Sequence, residues 1–298
     1  MCRIIFLLFS VITLFYLNNF SSEIHPDNFC YVINGANIDE IAHSEYEMAV
    51  IDYSYDGSEN GKYKKKDIQK LIDEDIIPLC YLSIGEAEDY RFYWQNAWYK
   101  TPPYWLDDEN PDWQGNYKVR YWKAEWKDIL KSYLEKIIAQ GFKGIYLDII
   151  DAYYYWSEIK GDLSVKFAAN EMLNLIKMIK DYTSKLYGED FLIFIQNGEE
   201  LSAITPEITN YINGLGIEEL LFTEGKKNAI ESVEYRMKHI NYFRHSEITV
   251  LLIEYISEGE SVDIQKSTYL KKFASENNFL YYIADRNLEL DSLISLSE

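Results

Sequence analysis

The sequence predicts a (β/α)8 barrel, an α/β fold in which eight parallel strands surround a packed interior. Three observations predict it. Eight short runs rich in apolar and β-branched residues recur along the chain. They are continuous rather than alternating, as strands covered on both faces require. Stretches with apolar residues at helical spacing separate most of them, and a chain of 298 residues suits a barrel of about 250 residues plus an N-terminal extension. A doubly wound open sheet is the alternative, because counting alternating elements does not show closure.

The strand runs fall at 29–34, 48–53, 77–84, 144–149, 191–196, 212–217, 248–255 and 279–284. Helical patterns fall at 66–74, 126–140, 164–186, 226–243 and 262–275. Gly141 and Gly188 stand where two of these helices must end. Segment 86–125 breaks the rhythm: it follows the third strand and carries 12 aromatic residues. Loops of this length inside a compact domain are usually functional. Its place after a strand puts it on the carboxyl-terminal face, where barrel active sites lie.

Arg3 precedes an almost wholly apolar run at 4–17, then Asn18, Asn19, Phe20, Ser21 and Ser22. This pattern predicts a secretory signal at 1–22, hence a secreted, periplasmic or envelope protein, with an uncleaved anchor as the alternative. No linker or repeat divides 23–298, so one domain is expected there, with no further membrane span. Of the three cysteines, Cys2 lies in the signal. Cys30 and Cys80 could pair in an oxidising compartment, but both lie in strand runs, where buried free thiols are the commoner outcome.

Lys and Arg number 29 against 49 Asp and Glu, a net charge of −20. Nucleic acid is excluded as a partner because its phosphates would be repelled, while a cationic ligand would be attracted. The chain contains no CxxC, HExxH, Walker loop, GxGxxG or GxSxG, and its four histidines are scattered. No cofactor or metal is therefore expected.

The chemistry must come from strand ends. Seven of the eight carry a carboxylate: Asp52, Glu86 with Glu88, Asp148 with Asp151, Glu199 with Glu200, Glu218 with Glu219, Glu254, and Asp285. A ring of acids among aromatic residues suits glycoside hydrolysis, which needs one carboxylic acid and one carboxylate, while sugars stack on aromatic faces. Divalent metal binding is the competing use of such acids. Asp148 and Glu218 both end apolar strands, where a carboxylate is partly desolvated; a purely structural acid is the plainer reading for each.

The blocks CYLSIGEAEDYRFYW, WLDDENPDWQGNYKVRYWKAEW, GFKGIYLDIIDAYYYW, FIQNGEEL and GLGIEELLF, taken in this order, resemble glycoside hydrolase family 114. They are most similar to its prokaryotic extracellular branch. The resemblance implies a barrel that cleaves α-1,4-linked, partly de-N-acetylated galactosamine polymer, with Asp148 and Glu218 as the catalytic pair. Asp52, Tyr53, Glu86, Trp122, Asp151, Gln196 and Glu254 are the residues then expected to meet the substrate. We expect Asp148 to stay ionised and Glu218 to hold the proton, since two neighbouring carboxylates do not both ionise readily. One of Tyr90, Trp94, Trp105, Trp113 or Trp122 is expected to offer a stacking face. A binding protein that keeps the barrel without turnover is the rival reading.

Overall fold

Eight parallel strands form one sheet that curls almost shut. The structure, a computed structural model, describes residues 26–259 and 261–295, so the expected signal at 1–22 lies outside the described residues. The strands are β1 (Cys30–Val32), β2 (Met48–Ile51), β3 (Ile77–Ser83) and β4 (Gly144–Asp148). They continue with β5 (Leu192–Gln196), β6 (Gly214–Glu218), β7 (Thr249–Glu258) and β8 (Leu280–Asp285). Hydrogen-bonded neighbours follow chain order from β1 to β8. At the remaining seam, the chain returning after β8 covers β1: Leu290 O accepts from the N–H groups of Ile33 (2.9 Å) and Asn34 (3.2 Å).

Among the described residues, the outside is covered by α1 (Ile38–Ala42), α2 (Lys65–Asp73), α3 (Ala124–Gln140), α4 (Val165–Leu186), α5 (Ile230–His245) and α6 (Ile264–Asn277). α3 buries Trp126, Leu130, Tyr133, Leu134 and Ile137 against the barrel, one stripe of an amphipathic helix. It stops at Gly141, whose φ of 100° is left-handed. Two short 3-10 turns, Glu199–Ala203 and Pro206–Asn210, replace a helix between β5 and β6.

The sequence pattern differs from the structure in two places. The helical pattern expected from 226 begins only at Ile230. Ahead of it, Phe222–Thr223 pairs with Lys226–Lys227 as a hairpin, with Glu224 (φ 50°) and Gly225 (φ 71°) at its tip. Two successive left-handed residues are what the tightest hairpin turn demands, and they cannot start a helix. Segment 86–125 is built rather than irregular: Glu86–Glu88, Asn116–Val119 and Leu106–Glu109 form a three-stranded antiparallel sheet. Trp105 packs on Trp126 of α3 at 5.4 Å, and Trp126 Nε1 donates to Ile84 O at 2.9 Å, so the insertion is docked on the barrel rim.

Side chains alternate faces along a strand, and this fixes the barrel interior. On β4, Gly144, Tyr146 and Asp148 share one face; on β6, Gly214, Gly216 and Glu218 do. The two sets interlock through the glycines. A Cβ on Gly214 would stand 2.0 Å from the Phe194 ring of β5, and one on Gly216 would stand 1.6 Å from Tyr146 Oη. Tyr146 thus fills the space beneath Asp148 only because β6 has no side chain there, and its ring lies 5.2 Å from that of Tyr31 on β1. Gly216→Ala is expected to lower unfolding stability by about 2 kcal/mol or more through overpacking. Tyr146→Phe in the same chain should recover part of that loss, as read by urea denaturation. Parent-like stability of Gly216→Ala would contradict this packing.

Candidate active site

The same alternation lifts Asp148 and Glu218 to the carboxyl-terminal ends of β4 and β6, one layer above the tyrosines. Asp148 accepts from Tyr81 Oη on β3 at 2.6 Å and from the N–H of Ile149 at 2.7 Å. Glu218 accepts from Tyr255 Oη on β7 and, at 3.3 Å, from Asn197 Nδ2. Gln196 on β5 also favours its charged form. Each carboxyl therefore stands on a phenol from a neighbouring strand, and both carboxyls act electrostatically on Tyr31, Tyr146 and Tyr255.

Burial lifts both acids. Asp148 is pushed up to about 7, first by desolvation and next by the adjacent Glu218, against the bonds from Tyr81 and Ile149. Glu218 is raised by desolvation too, but Tyr255, Asn197 and Gln196 all stabilise its charged form. The donors that favour the charged form of Glu218 come from the ends of β5 and β7, distant in sequence.

The other expected site residues separate into groups. Glu86, fully buried in the insertion sheet, pairs with Lys118 and accepts from Asn110 Nδ2 at 2.9 Å. Asp151 opens to solvent beside them. It is raised by desolvation, with Lys118 opposing and Glu86 adding to the rise, and it acts in turn on Asp148. Gln196 is buried at the end of β5, and nothing among the described residues bonds its Oε1. Asp52 is buried against Arg91, with Nη2 and Oδ2 at 2.7 Å, and Arg91 also holds Glu88 at 2.6 Å. The Tyr53 ring is buried edge-on against Tyr133 at 5.0 Å, on the helix side of β2. Glu254 is buried and accepts from the N–H groups of Leu221 (2.7 Å) and Phe222 (3.1 Å), so it holds the loop after β6. Desolvation pushes Glu254 up to about 8, against those two bonds. Trp122 lies half-buried, edge-on to Trp156 at 5.1 Å.

Among the aromatic candidates, Trp105 is buried and Trp94 is enclosed by Trp98, Tyr99 and Tyr117. Tyr90 (43%) and Trp113 (49%) keep exposed faces. Tyr90 also donates to Glu88 at 2.6 Å, with the Arg91 guanidinium 4.9 Å from its ring centre. Cys30 and Cys80 are free, buried thiols. No group of three His, Cys, Asp or Glu among the described residues is placed to hold a metal ion. No helix among them is long and apolar enough to cross a membrane.

Sequence reasoning missed Tyr81, Tyr255, Asn197, Lys118, Arg91 and Arg236. The two tyrosines were within reach of it: each lies on the interior face of its strand, in phase with the carboxylate that it supports. The cations carried no local signal.

The raised carboxyls make stability depend on pH. Asp148 and Glu254 bind their protons more tightly in the folded chain than in the unfolded one. The stability this contributes is complete below the ordinary carboxylate range of about 4. It is lost as pH rises through about 7 for Asp148 and about 8 for Glu254. The thermal midpoint is therefore expected to fall from about pH 5 to about pH 8, and Asp148→Asn to flatten the fall near neutrality. A midpoint rising with pH over that range would contradict the assignment.

Comparison with known proteins agrees with this architecture. An uncharacterized protein of Methanocaldococcus jannaschii is 41% identical over 267 residues, covering 88% of this chain and 77% of that one. One of Thermotoga maritima is 36% identical over 293 residues, covering 95% and 90%. The glycoside hydrolase domain of PelA from Pseudomonas aeruginosa superposes with a TM-score of 0.70 at 12% identity, over 90% of this chain and 98% of that domain. Ega3 of Aspergillus fumigatus, crystallised in complex with galactosamine, gives 0.65 at 17% identity, over 88% and 91%. At such identities the two structures establish a shared barrel. The model of glycoside-hydrolase family GH114 matches residues 18–297, nearly the whole chain. The chain thus belongs to glycoside-hydrolase family GH114.

Proposed function

We propose that this glycoside hydrolase cleaves an α-1,4-linked polysaccharide containing galactosamine, with Asp148 and Glu218 as its two working carboxyls. The observation that carries the reading is the pair itself. Two desolvated acids end β4 and β6, each bonded to a tyrosine, and Glu218 adds to the burial that pushes Asp148 up to about 7. Hydrolysis of a glycoside needs that singly protonated state: one carboxyl gives its proton to the leaving oxygen, and the other faces the positive charge developing at the anomeric carbon. The galactosamine bound to Ega3 and the net charge of −20 both favour an amino sugar as substrate.

An ammonium-bearing sugar seated beside Asp148 and Asp151 favours charge on Asp148 and leaves the proton to Glu218. Glu218 then serves as general acid, and Asp148 as nucleophile or electrostatic stabiliser. Asp151, exposed beside the buried Glu86, would meet the amino group; Asp52 and Glu254 act through the loops they hold. A signal at 1–22 would deliver the enzyme outside the cytoplasm, where such polymers lie.

Purified enzyme is expected to shorten de-N-acetylated α-1,4-galactosamine polymer. Asp148→Asn and Glu218→Gln should each lower the rate by about a thousandfold while the circular dichroism spectrum is kept. The basic limb of kcat/KM should fall as pH rises through about 7, where the pair loses its last proton. Polymer left intact by the parent, or shortened equally by Asp148→Asn, would overturn the reading.

A further inference from the structure

Arg236, on α5, lies where the ends of β5 and β6 meet, and its guanidinium is committed to both. Nε donates to Glu199 Oε1 at 2.5 Å, just beyond β5. Nη1 donates to Glu218 O at 2.9 Å and reaches Glu219 O at 3.4 Å, at the end of β6. Nη2 lies 3.5 Å from Asn197 Oδ1. None of these bonds touches the Glu218 carboxylate.

Asn197 is the link. Its Oδ1 accepts from the backbone N–H of Glu218 at 3.1 Å and faces Arg236, so two donors fix the amide orientation. Nδ2 is thereby left facing Glu218 Oε2 at 3.3 Å. Asn197 also sits at φ 53°, a left-handed backbone that the surrounding contacts must hold in place. We infer that Arg236 is a positioning residue: by tying the ends of β5 and β6 together, it keeps Asn197 aimed at Glu218 and so favours the charged form of that carboxyl. This rests on the reading of Glu218 as one of the two working carboxyls.

The groups around Glu218 define what Arg236 adds. Tyr255 of β7 donates to the carboxylate directly, and Gln196 of β5 also favours its charge. Asp148 and Tyr146 of β4, Tyr31 of β1 and the adjacent Glu219 face it electrostatically. On its own far side, Arg236 faces Glu199 and Glu254. Its planar fork suits this bridging, whereas a lysine offers a single point charge.

The test reads Glu218 itself and needs no substrate. In a 13C-carboxyl NMR titration, Arg236→Ala should raise the Glu218 midpoint by about one pH unit, because the charged form loses a fixed donor. Asn197→Gly should do the same: glycine tolerates the positive φ, so the amide is deleted while the backbone is kept. The double variant should shift Glu218 no further than the larger single shift, since Arg236 acts through Asn197. Arg236→Lys should fail to restore the parent value, and Lys238→Ala on the exposed side of α5 should leave it unchanged. An unmoved midpoint in folded Arg236→Ala, or additive shifts in the double variant, would overturn the inference. If Arg236→Ala does not fold, an unmoved midpoint in Asn197→Gly overturns it equally. Failure of the parent to cleave any galactosamine polymer would instead count against the functional reading, and the NMR result would stand apart from it.

Discussion

Two buried carboxylic acids that act on each other do not both ionise readily, and the mouth of this barrel is organised around that repulsion. Asp148 and Glu218 are lifted from water by the strands that carry them, and each is then given partners. Tyr81 and Tyr255 donate from β3 and β7. Asn197 adds a donor on the Glu218 side alone, and Gln196 also stabilises the Glu218 charge. A pair that holds one proton near neutral pH has both an acid and a base ready for a single bond-breaking step.

The interior beneath the pair serves the same end. Tyr146 and Tyr31 fill the layer below the carboxyls, and the missing side chain at Gly216 gives Tyr146 its room. The result is a dense aromatic floor that excludes water from one side of both acids, and the desolvation that raises them follows from it. The insertion after β3 closes another side. Arg91 joins the insertion to the end of β2 by its buried ion pair with Asp52, and Glu88 of the same insertion holds it from the other side. Breaking such a buried network by removing one member leaves an uncompensated charge, so it acts as a latch rather than as surface decoration.

Much of the fold was legible because each strand is a short, continuous apolar run. The expected 144–149 and 191–196 fall within a residue or so of Gly144–Asp148 and Leu192–Gln196. The insertion sheet was not legible, since Glu86–Glu88 and Asn116–Val119 pair across about 30 residues of polar and aromatic sequence with no alternation. The positions of Asp148 and Glu218 could be read because strand ends map onto the barrel mouth. Their proton affinities could not. Those depend on Tyr81, Tyr255 and Asn197, contributed by three other strands or strand ends, and on Arg236, from a helix whose sequence reads as ordinary surface. Tyr53 and Glu254 show the converse limit: being at a strand end does not tell which face a side chain takes. One residue of phase turns Tyr53 toward α3, and Glu254 toward the loop after β6.

The central claim is that the scissile bond of an amino-sugar polymer lies between these two acids. Its most direct test is a crystal structure of the Asp148→Asn protein with a bound oligomer of de-N-acetylated α-1,4-galactosamine. The account predicts a glycosidic oxygen within hydrogen-bond reach of Glu218, an anomeric carbon facing position 148, and an ammonium group turned toward Asp151. An oligomer lying across the exposed Trp113 face of the insertion, with the ends of β4 and β6 left empty, would contradict it.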